Sequence, residues 1–85
     1  MKNKYEQELQ ALRPNDEIQT LEELVGGKGY YFLPTAGHGY LIIPNEDSHY
    51  NLAKDMLSKY DYEGKHAIYL EEDTQAGTFL TSIKN

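Results

Sequence analysis

The strongest constraint on the fold lies in residues 30–44, where two short apolar runs, YYFLP and YLIIP, flank the sequence TAGHG. Aromatic and β-branched residues are typical of strands, and glycine takes the positive φ angle that a tight connection needs. The pattern therefore predicts a β-hairpin whose turn region contains Gly37, His38 and Gly39. Residues 40–43 are apolar without alternation, which predicts a second strand that is covered on both faces or central in its sheet.

The N-terminal part of the chain has helical signals. One apolar stripe at i, i+4 and i+7 indicates a first helix that ends at Pro14, and this stripe consists of Tyr5, Leu9 and Leu12. A second short helix follows in one of two versions: Asn15 caps it, or Thr20 and Glu23 form a capping box over a single turn. Both versions end at the glycine pair 26–27, which is a C-cap signal.

Two further helices and one strand are predicted after the hairpin. The clearest helix covers residues 48–60, is capped by Asp47 or Ser48, and has an apolar stripe made of Tyr50, Ala53, Met56, Leu57 and Tyr60. Residues 66–70 (HAIYL) are rich in strand formers. Asp73 is placed to cap a last helix, whose stripe consists of Ala76, Phe79, Leu80 and Ile83.

These elements predict one α+β domain over residues 1–85, in the order αα-ββ-α-β-α. A helical N-terminal segment, residues 1–25, precedes a ββαβα core, residues 29–84. The sheet has three strands: the antiparallel hairpin, and one strand that the helix at 48–60 connects as a parallel, right-handed crossover. Helices pack on this small sheet, and the N-terminal helix either covers its second face or stays loosely attached.

Cysteine content and hydropathy exclude several classes of function. The chain has no cysteine, which removes disulfides, thiolate metal sites and cysteine nucleophiles together. A disulfide-free domain fits a reducing cytosol. The N-terminus has no apolar leader region and no segment approaches transmembrane length, so we expect a cytoplasmic protein without a membrane partner.

The charge of the chain is acidic and unevenly distributed. The formal net charge is −6, yet Lys28 is the one charged residue within 26–45, so the hairpin is a nearly uncharged stretch between acidic flanks. No basic stripe is present to neutralise phosphates, which predicts no nucleic-acid partner. An acidic surface favours solubility, or attraction to a basic partner.

Signatures of catalysis and of metal or cofactor binding are weak. The candidate metal ligands are three histidines, His38, His49 and His66. Their spacing matches no ligand signature, even with Asp47 or Glu71 added, so we predict no metal site. The glycine-rich stretch 26–29 precedes a strand instead of opening a helix, which makes it a poor phosphate cradle. No catalytic triad order, nucleophile elbow or dinucleotide fingerprint is present, which predicts no catalytic residue and no cofactor.

The tyrosines and one carboxylate run are the better candidates for recognition. Eight tyrosines occur in 85 residues, and most are expected to bury the ring and leave the hydroxyl in water. Tyrosine is also favoured in binding hot spots, and an acidic run after a strand is either a solvated cap or an interaction surface. The predicted interaction residues are Tyr31, His38, Tyr40, Glu71, Glu72 and Asp73.

Three segments carry a resemblance to a known group of sequences: GHGYLIIP at 37–44, YLEED at 69–73, and FL at 79–80 after Ala76. This pattern resembles a group of small phage- and plasmid-encoded proteins of uncharacterised function. Those proteins have a His-Gly-Tyr/Trp-Leu-x-Val-Pro segment followed by Tyr-Leu-Glu-Glu-Asp and Phe-Leu. The resemblance covers about residues 30–80, with Ile43 in place of the more usual valine. It implies a mobile-element setting, supplies no catalytic residue to carry over, and favours an anti-defence or modulatory role through binding of a host protein.

The sequence therefore predicts a small acidic, non-enzymatic interaction module that binds a host protein. The hairpin face with Tyr31, His38 and Tyr40 would act together with the acidic run at 71–73. The alternative is a small-ligand module, in which the Gly-His-Gly turn and nearby tyrosines line a pocket for a nucleotide-like or aromatic ligand. A third hypothesis, a metal-assisted hydrolase, requires the three histidines to converge.

Overall fold

The computed structural model describes residues 3–23 and 29–83. In this part of the chain an antiparallel sheet of five strands has helices on both faces, so the α+β class is confirmed. The helical elements are α1 (Lys4–Leu12), α2 (Tyr50–Asp55), a π-helix (Glu72–Ala76) and α3 (Gly77–Ser82). The strands are β1 (Glu22–Glu23), β2 (Tyr31–Thr35), β3 (His38–Pro44), β4 (Tyr62–Glu63) and β5 (Ala67–Glu71), in the sheet order β1-β2-β3-β5-β4.

The predicted hairpin is formed by β2 and β3. Thr35 lies opposite His38, so two residues connect the strands, and Gly37 takes a φ of 92°. Gly39 is required for a different reason, because a Cβ at this position would lie 2.0 Å from Cζ of Phe32. One glycine therefore supplies a backbone conformation and the other supplies space for an aromatic ring.

Strand β3 is the centre of the sheet, as its unbroken apolar run predicted. It pairs with β2 on one side and β5 on the other, and residues 40–43 are all buried. Leu41 and Ile43 belong to the core beneath α2 and α3, whereas Tyr40 and Ile42 belong to the core beneath α1. The alternation of a strand thus places one apolar run in two separate cores.

The N-terminal helix covers the second face of the sheet. Leu9 is fully buried among the residues of that core, which decides between the two predicted placements of α1. Full burial of one leucine contributes roughly 1.5–3 kcal/mol. The helix begins at a capping box in which Asn3 and Glu6 each accept a backbone N–H from the other, both at 2.9 Å.

The predicted parallel crossover is wrong. Strand β5 pairs antiparallel with β3, with Pro44 opposite Ala67. Since β4 is also antiparallel to β5, β3 and β4 run in the same direction. The strand that returns after α2 is therefore β4, and β5 turns back from it and inserts beside β3. Two residues give no periodicity from which β4 could have been predicted.

The predicted second helix is also wrong where residues 15–23 are concerned. Glu22 and Glu23 form β1 against β2, and Ile18 makes an isolated bridge to Thr35. These pairings give hydrogen-bond partners to backbone groups along the edge of β2. The favourable free energy of this long-range pairing outweighs the local capping signal of Thr20. The predicted C-cap at 26–27 lies outside the described residues.

The remaining helices differ from the predictions at their ends. Helix α2 covers Tyr50–Asp55 instead of 48–60, and the side chain of Asp47 accepts the backbone N–H of His49, the N-cap residue, at 2.8 Å. The last helical segment begins at Glu72, and its cap is Glu71 instead of Asp73. Within the described residues, no helix combines the length and apolar character needed to cross a membrane.

Candidate functional site

The two ends of the sheet divide the predicted interaction residues. At the end that we call the turn end, the β2–β3 turn lies near the C-terminal end of β5, since Tyr40 is opposite Glu71. At the other end, which we call the opposite end, β2 begins and β3 finishes. Tyr31 lies toward the opposite end, paired with Ile42, whereas the other five predicted residues lie at the turn end. The hairpin therefore does not present them as one face.

A histidine–carboxylate pair is the best-defined polar contact at the turn end. Nδ1 of His38 lies 3.1 Å from Oε2 of Glu71; the His38 side chain is 46% exposed and that of Glu71 only 8%. The other Glu71 oxygen accepts the backbone N–H of Asp73 at 2.8 Å, which caps the π-helix. The Glu71 N–H donates to Asp61 at 2.8 Å. The buried carboxylate is thus fixed from two sides, and its charge lies near helix N–H groups.

The turn end also brings together side-chain atoms of the kinds that bind metal ions. Single ligand atoms of His38, Glu71 and Asp73 all lie within 4.8 Å of one another. One imidazole nitrogen and two carboxylate oxygens suit a borderline cation such as Zn²⁺. Glu71 caps the π-helix and contacts His38, so the same cluster is also explained by a purely structural role.

The three histidines have different neighbours. His49 lies beside Asp47, at 3.7 Å, and the Tyr30 hydroxyl, at 3.2 Å, whereas the backbone N–H of His66 donates to Glu8. Of the three histidines, His38 alone belongs to the metal-type cluster found among the described residues. The donor set on which a metal-assisted hydrolase depends is therefore not assembled from these three side chains.

A cavity of about 250 Å³ opens next to the His38–Glu71 pair. Its walls are formed by Arg13, His38, Tyr40, Lys59, Tyr60, Tyr62 and Glu71. The Arg13 guanidinium lies 5.7 Å from the ring centroid of Tyr40 and 5.8 Å from that of Tyr62, and it donates to the Tyr62 hydroxyl at 2.9 Å. Its hydrogen bond to Asp16 raises the pKa of Arg13, so this cation stays charged and in place.

The tyrosines of the turn end differ sharply in exposure. Tyr40 is 1% exposed, and burial raises the pKa of its hydroxyl, so its ring serves the core and offers a partner little surface. Tyr60 is 54% exposed, more than any other large apolar residue among those described. Sequence reasoning assigned Tyr60 to a helical stripe and missed its exposure. Alternation with Tyr62 gives no better signal, because a strand period would expose Asp61, which is buried.

At the opposite end, Tyr30 and Glu8 organise the polar contacts. The Tyr30 hydroxyl donates to Asp47 at 2.6 Å, and burial together with this bond raises the pKa of Tyr30. Burial by itself would raise the pKa of Glu8. Its carboxylate accepts hydrogen bonds from the Tyr69 hydroxyl at 2.7 Å and from the N–H groups of His66 and Lys65. These bonds outweigh the effect of burial, so the pKa of Glu8 is lowered. Burial and the bond to Glu8 raise the pKa of Tyr69.

Comparison with known proteins adds no relative to this description: no family model, no curated protein and no solved structure matches the chain. The resemblance to small phage and plasmid proteins therefore stays a prediction.

Proposed function

We propose that this chain is a small acidic interaction module, without catalytic activity, that binds a basic partner protein through the turn end. The surface involved, which we call the turn-end surface, consists of His38, Tyr60, Glu71, Glu72 and Asp73. The main support for this proposal is that the exposed ring of Tyr60 lines a cavity that His38 and Glu71 also line. An aromatic anchor beside a small pocket is the usual centre of a protein-binding hot spot.

The residue types around the cavity support this assignment. Tyrosine and arginine are, together with tryptophan, enriched in interface hot spots, and the cavity walls contain three tyrosines and Arg13. Arg13 is held by Asp16 and by the Tyr62 hydroxyl, so little side-chain entropy remains to be lost when a partner binds. A preorganised wall of this kind favours a protein side chain as occupant.

Charge supports a basic partner. The net charge is −6, and the carboxylates of Glu72 and Asp73 are exposed directly after the buried Glu71. A negative field increases the rate at which a positively charged partner associates, and salt screens this effect. The same charge argues against binding to nucleic-acid phosphates.

The small-ligand alternative fits the turn end less well. Sites for small molecules usually have a volume of about 300–1,000 Å³ and predominantly apolar walls. The cavity at the turn end measures about 250 Å³, and its walls include the charged groups of Arg13, Lys59 and Glu71. This size and polarity suit one inserted side chain better than a nucleotide-like ligand.

The resemblance to phage- and plasmid-encoded proteins supplies an expected setting. If the chain belongs to a mobile element, its partner is a host protein and its role is anti-defence or modulatory. The turn-end surface is compatible with this role, because blocking a host protein requires affinity and no chemistry. The proposed role therefore gives no residue at the turn end a catalytic function.

Quantitative binding to a purified partner tests the proposal. Affinity capture from a host lysate identifies a stoichiometric partner, and titration calorimetry with that purified partner then compares wild type with Tyr60→Ala and Glu72→Lys. We expect Tyr60→Ala to weaken the affinity about 30-fold, since a hot-spot truncation costs about 2 kcal/mol. Glu72→Lys reverses one charge and should mainly slow association, with a weaker dependence on salt.

The matched control is Tyr31→Ala, which removes the second exposed tyrosine, 43% exposed, from the opposite end. Circular dichroism and thermal unfolding establish that all three variants keep the fold. Equal losses for Tyr31→Ala and Tyr60→Ala, or no loss for Tyr60→Ala, would remove the turn-end surface from the proposal. A small molecule retained in the native mass spectrum and lost only in Tyr60→Ala would favour the ligand alternative.

A further inference from the structure

A second cavity, of about 290 Å³, lies at the opposite end of the sheet. Tyr31 and Ile42 contribute to it from the hairpin, Tyr5 from the first turn of α1, and Ile83 from the residue after α3. Its walls are mostly apolar, and its volume is close to the lower limit of about 300 Å³ for small-molecule sites. It differs from the cavity at the turn end mainly in character, because its described walls contain no lysine or arginine.

One carboxylate is fixed in the wall of this cavity. Oδ2 of Asp47 accepts the Tyr30 hydroxyl at 2.6 Å and the backbone N–H of His49 at 2.8 Å. Oδ1 of Asp47 has no hydrogen-bond partner among residues 3–23 and 29–83. Both bonds orient the side chain, so a carboxylate whose second oxygen has no partner among the described residues is held beside apolar walls. A carboxylate held in this way suits a positively charged hydrogen-bond donor, such as an ammonium group.

The aromatic walls favour the same charge. The faces of tyrosine rings attract cations, and this attraction is strongest where water is excluded. The Lys4 ammonium already lies 5.2 Å from the centroid of Tyr5, so Tyr30 and Tyr31 are the rings of the wall that make no such contact with a described residue. The described residues that line the cavity include no lysine or arginine, and the one basic side chain among them is that of His49, whose Nδ1 lies 3.7 Å from Oδ2 of Asp47 and does not reach Oδ1 by a hydrogen bond. A ligand with an ammonium group and a short apolar body matches both parts of the site.

We propose that this cavity binds a small organic ammonium ion, whose charge pairs with Asp47 and whose apolar part lies against Tyr5 and Tyr31. This site is separate from the turn-end surface and does not depend on the proposed protein interaction. The limited volume selects a small amine, with a chain of a few carbons, over a larger aromatic or nucleotide ligand.

A nuclear magnetic resonance titration tests the proposal with n-butylammonium as the probe and n-butanol as its neutral counterpart. We expect n-butylammonium to shift the amide signals of Gly29, Tyr31 and Ser48, which line the cavity, and to leave Gly37 at the turn end unchanged. The affinity of n-butanol should be at least fivefold weaker. Equal affinity of the amine and the alcohol would overturn the role of charge.

Two variants and one control locate the site. Asp47→Asn keeps an oxygen that can accept the bonds of Tyr30 and His49 but removes the charge, and Tyr31→Ala removes one exposed wall. Each should weaken n-butylammonium binding at least fivefold, whereas Tyr60→Ala should leave it unchanged. Full binding by a folded Asp47→Asn protein, or an equal loss in Tyr60→Ala, would overturn the assignment.

A blocked lysine, Nα-acetyl-lysine methylamide, distinguishes the two sources of an ammonium group. If the ligand is a small molecule, the free amine binds more tightly than the blocked lysine, because the peptide groups of the latter find no room in a cavity of about 290 Å³. The reverse order would assign the ammonium to a lysine of a partner protein and would overturn the small-molecule assignment.

Discussion

The turn end and the opposite end of the sheet are built around the same central strand but have different chemistry. The turn end combines a buried Glu71 with His38, Arg13 and the exposed Tyr60 around a small, charged cavity. The opposite end has a larger apolar cavity with one oriented carboxylate, that of Asp47. A run that is continuous in sequence thus contributes to two sites, because a strand of seven residues spans about 23 Å from end to end.

Exposure, and not residue type, separates the candidate recognition residues from the core residues at these two ends. Tyr40 and Tyr60 line the same cavity, yet one ring is buried beneath α1 and the other is half exposed. Tyr31 is exposed as well but lies at the other end. A tyrosine near the hairpin turn is therefore a binding candidate only if its position in the sheet leaves its ring accessible.

The largest effect is expected from Tyr40→Ala, which tests whether Tyr40 belongs to the core and not to the turn-end surface. Truncation of a fully buried aromatic ring should lower the free energy of unfolding by about 3–5 kcal/mol. Urea denaturation measures this value. Tyr60→Ala is the matched control and should change it by less than about 0.5 kcal/mol. Similar values for both variants would contradict the distinction between them.

An intermediate effect is expected at the two glycines of the turn region, and a second substitution separates their roles. Gly39→Ala places a Cβ 2.0 Å from Cζ of Phe32 and should cost about 1–3 kcal/mol through overpacking. Gly37→Ala meets no atom within 4 Å but must adopt a φ of 92°, at a cost of roughly 1–2 kcal/mol.

Phe32→Leu in the background of each glycine variant distinguishes the two causes by a double-mutant cycle in urea denaturation. The smaller side chain should recover part of the stability lost in Gly39→Ala and none of that lost in Gly37→Ala. Recovery in both backgrounds, or in neither, would show that the clash with Phe32 is not what requires Gly39.

The smallest effect concerns Glu8, which ties α1 to the start of β5 at the opposite end. Its lowered pKa means that its ionised form stabilises the fold above the unfolded-state pKa of about 4.5, and that this contribution is lost as the pH falls through the folded-state pKa. Glu8→Gln should lower the stability at pH 7 by about 1 kcal/mol, a modest value because the carboxylate is only partly buried.

Thermal unfolding of wild type and Glu8→Gln between pH 7 and pH 3 measures this contribution. The difference between the two melting temperatures should narrow as the pH falls below about 4.5, since protonation removes the advantage of the carboxylate. A difference that stays constant over this range would show that the charge of Glu8 contributes nothing to stability.

Much of the central fold was predictable from local patterns. The hairpin, the buried second strand and the end of α1 before Pro14 follow from turn residues, apolar runs and a helix breaker, all of which act within a few residues. Strands β1 and β4 were not predictable, because each has two residues and exists only through its pairing partner. Local helix signals at 15–23 lost to that long-range pairing.

The sites were less predictable than the fold, since their contacts join distant parts of the chain. His38 and Glu71 are 33 residues apart and meet only because β5 lies next to β3. Asp47 was predicted as a helix cap, but its role in orienting Tyr30 depends on where the hairpin begins. Residue type singled out His38 and Glu71 but not Arg13 or Tyr60, because strand order decides which side chains are neighbours.

The antiparallel placement of β5 has a consequence for how the sheet assembles. β4 and β5 are joined by a short turn in which the N–H of Gly64 donates to Ala67, so they form a second local hairpin beside that of β2 and β3. Contacts close in sequence form fastest, and hairpins close within about 1–10 μs. We therefore expect two prefolded halves, with the docking of β3 on β5 as the rate-limiting step. New chain ends placed in the segment between the halves, in a circular permutant, should leave both halves able to form.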